Sequence, residues 1–291
     1  MSEMTPQMYY AIHSRITAPG DQSDVYAGLP GEIGAISQIV QGLVLHYMAD
    51  RNLYDYPRER AGEIDTRYVP DILRRIRELD GRPLSENRPP SKRFIGCCRD
   101  FTVLAVSMLR QHGIPARARH GFAAYFVPDH YIDHAVVEFW NGSAWQLADT
   151  EISQQHFPFN VLNVPRDQFI VGGKAWQMCR SGQADPERFG LGPGVPVHGW
   201  WFIQGRMLQD LAALNKHEML CWDEWSYGME DAVLTDDDRA LLDHLAEVTQ
   251  QGDVGFAEVQ RLFGDEPRLK LPNPFMSFSP AQERLISITL R

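Results

Sequence analysis

The stretch "GCCRDFTVLAVSMLRQHGIPAR" covers residues 96–117, and between Cys98 and His112 it is apolar almost all round, with Phe101, Val103, Leu104, Ala105, Val106, Met108 and Leu109. A helix of that composition is surrounded by protein instead of lying on a surface. Gly113 and Pro115 stop it. Next come "ARARHGFAAYFV" (116–127), "DHAVVEFW" (133–140), "NGS" and "AWQLADTE" (144–151), a period-two pattern broken by Asn-Gly that predicts a hairpin. A buried helix feeding an antiparallel sheet, with helical patterns before and after it, predicts an α+β fold.

Upstream, "GEIGAISQIVQGLVLHYMADRN" (31–52) sets Ile33, Ile36, Ile39, Val40, Leu43, Val44 and Tyr47 at helical spacing and reads as one amphipathic helix. "VPDILRRIRELDG" (69–81) reads as another, with Pro70 in its first turn and Gly81 at its stop. Beyond Pro165 the helical segments are "PRDQFIVGGKAWQMCRSG", "WFIQGRMLQDLAALNKHEML", "LTDDDRALLDHLAEVTQ" with a Thr235/Asp238 capping box, and "FAEVQRLFG". This order predicts a helical extension over 1–90, a helix-and-sheet core over 91–165 and a mainly helical region over 166–291 packed on the core.

The chain has 291 residues, 44% hydrophobic and 23% charged, the balance of a soluble globular protein. Its 28 Lys and Arg against 38 Asp and Glu leave a net charge of -10, which disfavours nucleic acid as a partner. No signal-peptide pattern or membrane-length apolar run stands out, so a cytoplasmic protein without membrane association is expected. The four cysteines, 97, 98, 179 and 221, are too sparse for a disulfide framework and predict free thiols. They show no short paired spacing with His112, His120, His130 or His156, so neither a metal site nor a cofactor is expected.

The hairpin also predicts a juxtaposition. A two-residue turn at Asn141-Gly142 sets His134 directly opposite Asp149; a four-residue loop makes them diagonal neighbours on the same face. Either register joins an imidazole to a carboxylate, the orienting half of a catalytic triad. The missing nucleophile is sought at the start of the buried helix, where the dipole and a nearby imidazolium favour thiolate. Cys97 and Cys98 both lie there, and residue properties alone leave them level.

The Gly-Cys-Cys-Arg opening, the Gly-Ile-Pro-Ala-Arg close, the His-Ala strand and the Trp-x-x-x-Asp strand together resemble the core of the transglutaminase-like superfamily. The resemblance spans about residues 94–151 and implies a papain-like arrangement, a nucleophile helix packed on an antiparallel sheet. It assigns Cys98 as nucleophile, His134 as general base and then acid, and Asp149 as the group orienting His134, with Cys97 on a variable position. Val136 and Thr150-Glu151 depart from the family's usual residues and bear on the shape of the cleft. The implied chemistry is attack of a thiolate on an acyl carbon, with hydrolysis of a peptide, protein or small amide placed ahead of transfer to an amine, and a catalytically silent binding module as the third reading.

Trp200, Trp201, Trp222 and Trp225 crowd into one segment. Core packing is the weightier reading, because large aromatics are mostly buried. An aromatic wall over the substrate, with Trp201, Glu218 and Trp222 as contacts, is the other. Arg117 and Arg119 read as outward strand charges meeting solvent, and Arg99 with Asp100 as a helix-surface ion pair.

Overall fold

A computed structural model describes residues 4–291. In chain order its elements are α1 (Pro6–Ala11), α2 (Ile33–Leu43), β1 (Val44–His46), α3 (Val69–Leu79), β2 (Phe94–Gly96), α4 (Cys98–Gln111), β3 (Ala116–Ala123), β4 (Tyr131–Trp140), β5 (Trp145–Ala148), β6 (Phe169–Val171), α5 (Gly172–Arg180), β7 (Phe189–Gly190), α6 (Trp200–Leu214), β8 (Asp223–Glu224), α7 (Asp236–Val248), α8 (Phe256–Asp265), β9 (Phe275–Ser279) and β10 (Arg284–Ile288). The fold is α+β. Two compact units divide the chain: the described residues up to Ala118 with Val136–Val164 and Ser279–Arg284, and Arg119–Ala135 with Pro165–Phe278 and Leu285–Arg291.

In the first unit α4 is buried from Cys98 to Arg110, as its all-round apolar composition requires. Phe101, Leu104 and Met108 pack with Ile36 and Val40 of α2, Ile72 and Ile76 of α3, and Val137 and Ala148 of the sheet. Each large apolar side chain so covered contributes about 1.5–3 kcal/mol. Helix α2 stops at Leu43, short of the single helix expected through Tyr47. Val44 turns to extended backbone (φ -119°, ψ 148°), and Val44–His46 pairs in parallel with Phe94–Gly96. A β-branched residue is at home in that ladder, and a strand partner fifty residues away overrides local helical periodicity.

The β4–β5 hairpin pairs Trp140 with Trp145 and Val137 with Ala148, so the loop is the four residues Asn141–Ala144 and not the two-residue turn. The Asn141 side-chain oxygen accepts from the amides of Ser143 (3.0 Å) and Ala144 (2.9 Å), closing the wider loop, and Gly142 alone there takes a positive φ of 101°. Arg117 does not meet solvent. It is buried, donates to Glu138 at 2.7 Å, and lies over the Trp145 ring at 4.1 Å.

In the second unit β6 pairs antiparallel with Gly121–Ala123 of β3, and β7 pairs in parallel with the start of β4. The segment 165–182, expected to be helical, therefore enters as strand at Phe169–Val171 and becomes helical only at Gly172. A Cβ at Gly172 would sit 2.6 Å from the Met207 amide nitrogen, so the glycine lets α5 approach the α6 backbone. Arg119 is buried as well, held bidentately by Asp210 at 2.9 and 2.8 Å. Strand β9 alternates buried and exposed residues and pairs with β8.

Helix α7 begins with the expected reciprocal cap. The Thr235 amide and hydroxyl donate to Asp238 Oδ2 at 2.9 and 2.6 Å, and the Asp238 amide returns a bond to Thr235 Oγ1 at 3.2 Å. These donors, the Thr235 hydroxyl foremost, hold the Asp238 carboxyl well below the usual carboxylate range. With the folded value below the unfolded one, the stabilisation is complete above the ordinary aspartate value of about 4 and is lost as pH falls towards the folded value. Thr235→Ala is expected to cost about 1 kcal/mol at pH 7. In urea melts the gap from wild type should narrow steadily between pH 4 and pH 2; a gap that stays constant over that range contradicts this account.

Candidate active site

Helix α4 starts with a cap built from the cysteine motif. The Cys97 amide donates to Asp100 Oδ2 at 2.9 Å and the Asp100 amide donates to the Cys97 carbonyl at 2.8 Å, which makes Cys97 the cap and Cys98 the first helical residue. The tertiary structure therefore separates two thiols that composition left level. Gly96 leaves room for this cap, because a Cβ there would lie 2.6 Å from Asp100 Oδ2. Arg99 and Asp100 do form an ion pair, at 3.1 Å, but both are fully buried and not on the helix surface. Arg99 also donates to the Arg67 carbonyl at 2.6 Å, fixing the helix start against the chain ahead of α3.

Cys98 and Asp149 belong to the first unit and His134 to the second. Asp149 is buried directly after β5; its amide donates to the Val161 carbonyl (2.8 Å), and its Oδ1 accepts the Glu151 amide (3.0 Å). His134, on β4, is buried with Phe126 edge-on at 5.0 Å, and with Tyr125 and Phe169 at 6.3 and 6.4 Å. Aromatic edges around an imidazole exclude water and strengthen any charged interaction it makes. Its neighbour Asp133 is half-buried, with its carboxylate tucked in against Arg206 at 2.5 Å. Burial holds the Asp133 carboxyl above the usual carboxylate range, with Arg206 pulling the other way.

His46 and Glu151 also stand at the Cys98 sulfur. A ring nitrogen of His46, the Cys98 Sγ and a carboxylate oxygen of Glu151 lie within 4.8 Å of one another. His46 arrives through the β1–β2 ladder, which sets it opposite Gly96, two residues before Cys98. Nothing in the local pattern pointed to it, since 31–52 reads as helix. The segment carrying Glu151 is pinned by Gln41 of α2, whose side-chain amide donates to the Thr150 and Ile152 carbonyls at 3.2 and 3.0 Å. A groove of about 660 Å³ in this unit has Glu151, Asp50 and Phe101 in its lining.

In the second unit Trp222 and Glu218 are buried and Trp201 is half-buried. Burial pushes the Cys179 thiol up to about 12, whereas Cys221 is half-buried. Among the described residues, no helix is long and apolar enough to cross a membrane.

Residues 84–150, which take in Cys98, His134 and Asp149, match the model of the transglutaminase-like superfamily. They form a transglutaminase-like core. A search of curated proteins found no match. Among solved structures, a Cytophaga hutchinsonii protein proposed by its name to be a cysteine protease is similar at 18% identity and a TM-score of 0.34, over 56% of this chain and 45% of that one. The chain thus spans under half of that structure's length. The transglutaminase-like core itself begins at the loop before β2 and ends one residue after Asp149.

Proposed function

We propose that the chain is a cysteine-dependent acyl-transfer enzyme in which Cys98 is the nucleophile, His134 the general base and acid, and Asp149 the group that orients His134. One observation carries the reading: the residues matched by the family model, 84–150, include all three positions, and Cys98 opens the buried helix.

In this reading His134 takes the thiol proton and the sulfur bonds to the acyl carbon while the carbonyl electron pair moves onto oxygen. Collapse restores the carbonyl, breaks the bond to the leaving amine, and passes the proton from His134 to that amine. The thioester left on Cys98 is then attacked by water, activated by the same imidazole. The Cys98 amide at the start of α4 is one donor to the transient oxyanion.

Peptides, proteins or small amides are the substrate class, and water is the favoured acceptor. Trp201, Glu218 and Trp222 remain candidates for substrate contact. Incubation with a glutamine-containing peptide and a fluorescent primary amine separates the two acceptors. Release of the free acid or ammonia is expected to exceed amine incorporation at millimolar amine; incorporation outrunning hydrolysis makes the enzyme an amide-forming acyltransferase.

A further inference from the structure

We propose that His46 is a second hydrogen-bond donor at the reacting centre, presenting Nε2–H to the oxyanion that forms on the acyl group bound to Cys98. The inference rests on the reading of Cys98 as nucleophile, and it names a residue that neither the cysteine motif nor the hairpin contains.

The polarity of the ring decides its role. His46 Nδ1 accepts the backbone amides of Met48 at 3.2 Å and Ala49 at 3.1 Å. Two N–H groups aimed at Nδ1 leave no place for a proton there, so the ring is neutral and its single proton sits on Nε2. Such a ring cannot take the thiol proton, because Nδ1 is occupied by donors and Nε2 already carries hydrogen. Nor does it suit metal coordination, although His46, Cys98 and Glu151 are near enough to one another to share an ion. A histidine ligand donates its remote N–H to a carbonyl or carboxylate, the reverse of what the turn supplies. Donation from Nε2 is the chemistry left to it.

The ring is also held in place. The His46 amide donates to Asp50 Oδ2 at 2.8 Å and the Asp50 amide donates to the His46 carbonyl at 3.1 Å, closing the turn that carries the two Nδ1 donors. On the other side, the Tyr47 amide donates to the Gly96 carbonyl at 2.8 Å, tying that turn to the strand leading into Cys98. In a tetrahedral adduct the oxyanion is two bonds from sulfur, through the acyl carbon, and about one hydrogen-bond length from its donors. A ring nitrogen within 4.8 Å of Sγ satisfies that spacing. Glu151 stands in the same triangle.

The test compares two reactions of one sulfur. Hydrolysis of 4-nitrophenyl acetate passes through an oxyanion; alkylation by iodoacetamide displaces iodide and builds none. His46→Ala is expected to lower kcat/KM for the ester by about 10²- to 10³-fold while the alkylation rate of Cys98 stays within about threefold of wild type. His46→Gln, which keeps a side-chain N–H, is expected to recover at least tenfold of that loss. The proposal is overturned if both reactions slow together, which places His46 in thiolate formation or in folding, or if ester hydrolysis is unchanged. Turnover that survives in Cys98→Ala, or is absent from wild type, overturns instead the nucleophile assignment beneath it.

Discussion

Cys98→Ala lowers kcat/KM for acyl substrates by about 10⁴-fold or more, the effect expected when the nucleophile of a triad is removed and only binding and oxyanion donors remain. The same substitution abolishes iodoacetamide labelling at this position, while Cys97→Ala spares it. Wild-type Cys98 should label rapidly below the ordinary thiol value of about 8.5, and His134→Ala should slow that labelling, since in the proposed triad the imidazole both takes the proton and stabilises the thiolate. Cys179 is the internal standard: burial pushes its thiol up to about 12, so it stays unreactive at neutral pH. If mass spectrometry finds Cys98 labelled no faster than Cys179 or Cys221, the silent binding module becomes the better account.

The second large effect is on stability. Asp210 accepts two bonds from the Arg119 guanidinium and a third from the His120 amide at 3.0 Å, all in the buried part of the second unit. Asp210→Ala leaves that guanidinium buried without its carboxylate and is expected to cost about 3–5 kcal/mol. Much of this is the penalty of an uncompensated charge and not the net worth of the pair. Arg119→Met combined with Asp210→Leu, which removes both charges, should therefore recover at least half of the loss. Urea unfolding of the three proteins checks it: a single variant losing under 1 kcal/mol, or a double variant less stable than the single, contradicts the assignment.

The two arginines also show where sequence reading stops. Arg117 and Arg119 alternate with alanines as surface strand charges do, yet Glu138 and Asp210, 21 and 91 residues away, hold them inside. A charge is buried only when a partner arrives, and no window of neighbouring residues reports a partner at that distance. The same holds for the register: Asn141-Gly142 announces a turn, but the bonds that the Asn141 side chain makes to Ser143 and Ala144 select the longer loop.

What the sequence determined by itself is local and periodic: the buried helix from Cys98, the amphipathic helix at 69–79, the capped start of α7, the hairpin after Tyr131, and the three motifs of the transglutaminase-like core. Each depends on side chains a few residues apart, the range over which apolar spacing, caps and turn residues act. Tertiary structure alone decided that Val44–His46 is strand and not helix, and that His46 and Glu151 reach the sulfur. Those outcomes follow from pairing with Phe94–Gly96 and from the hold of Gln41 on the chain after β5, contacts whose energy depends on segments distant along the chain having already met.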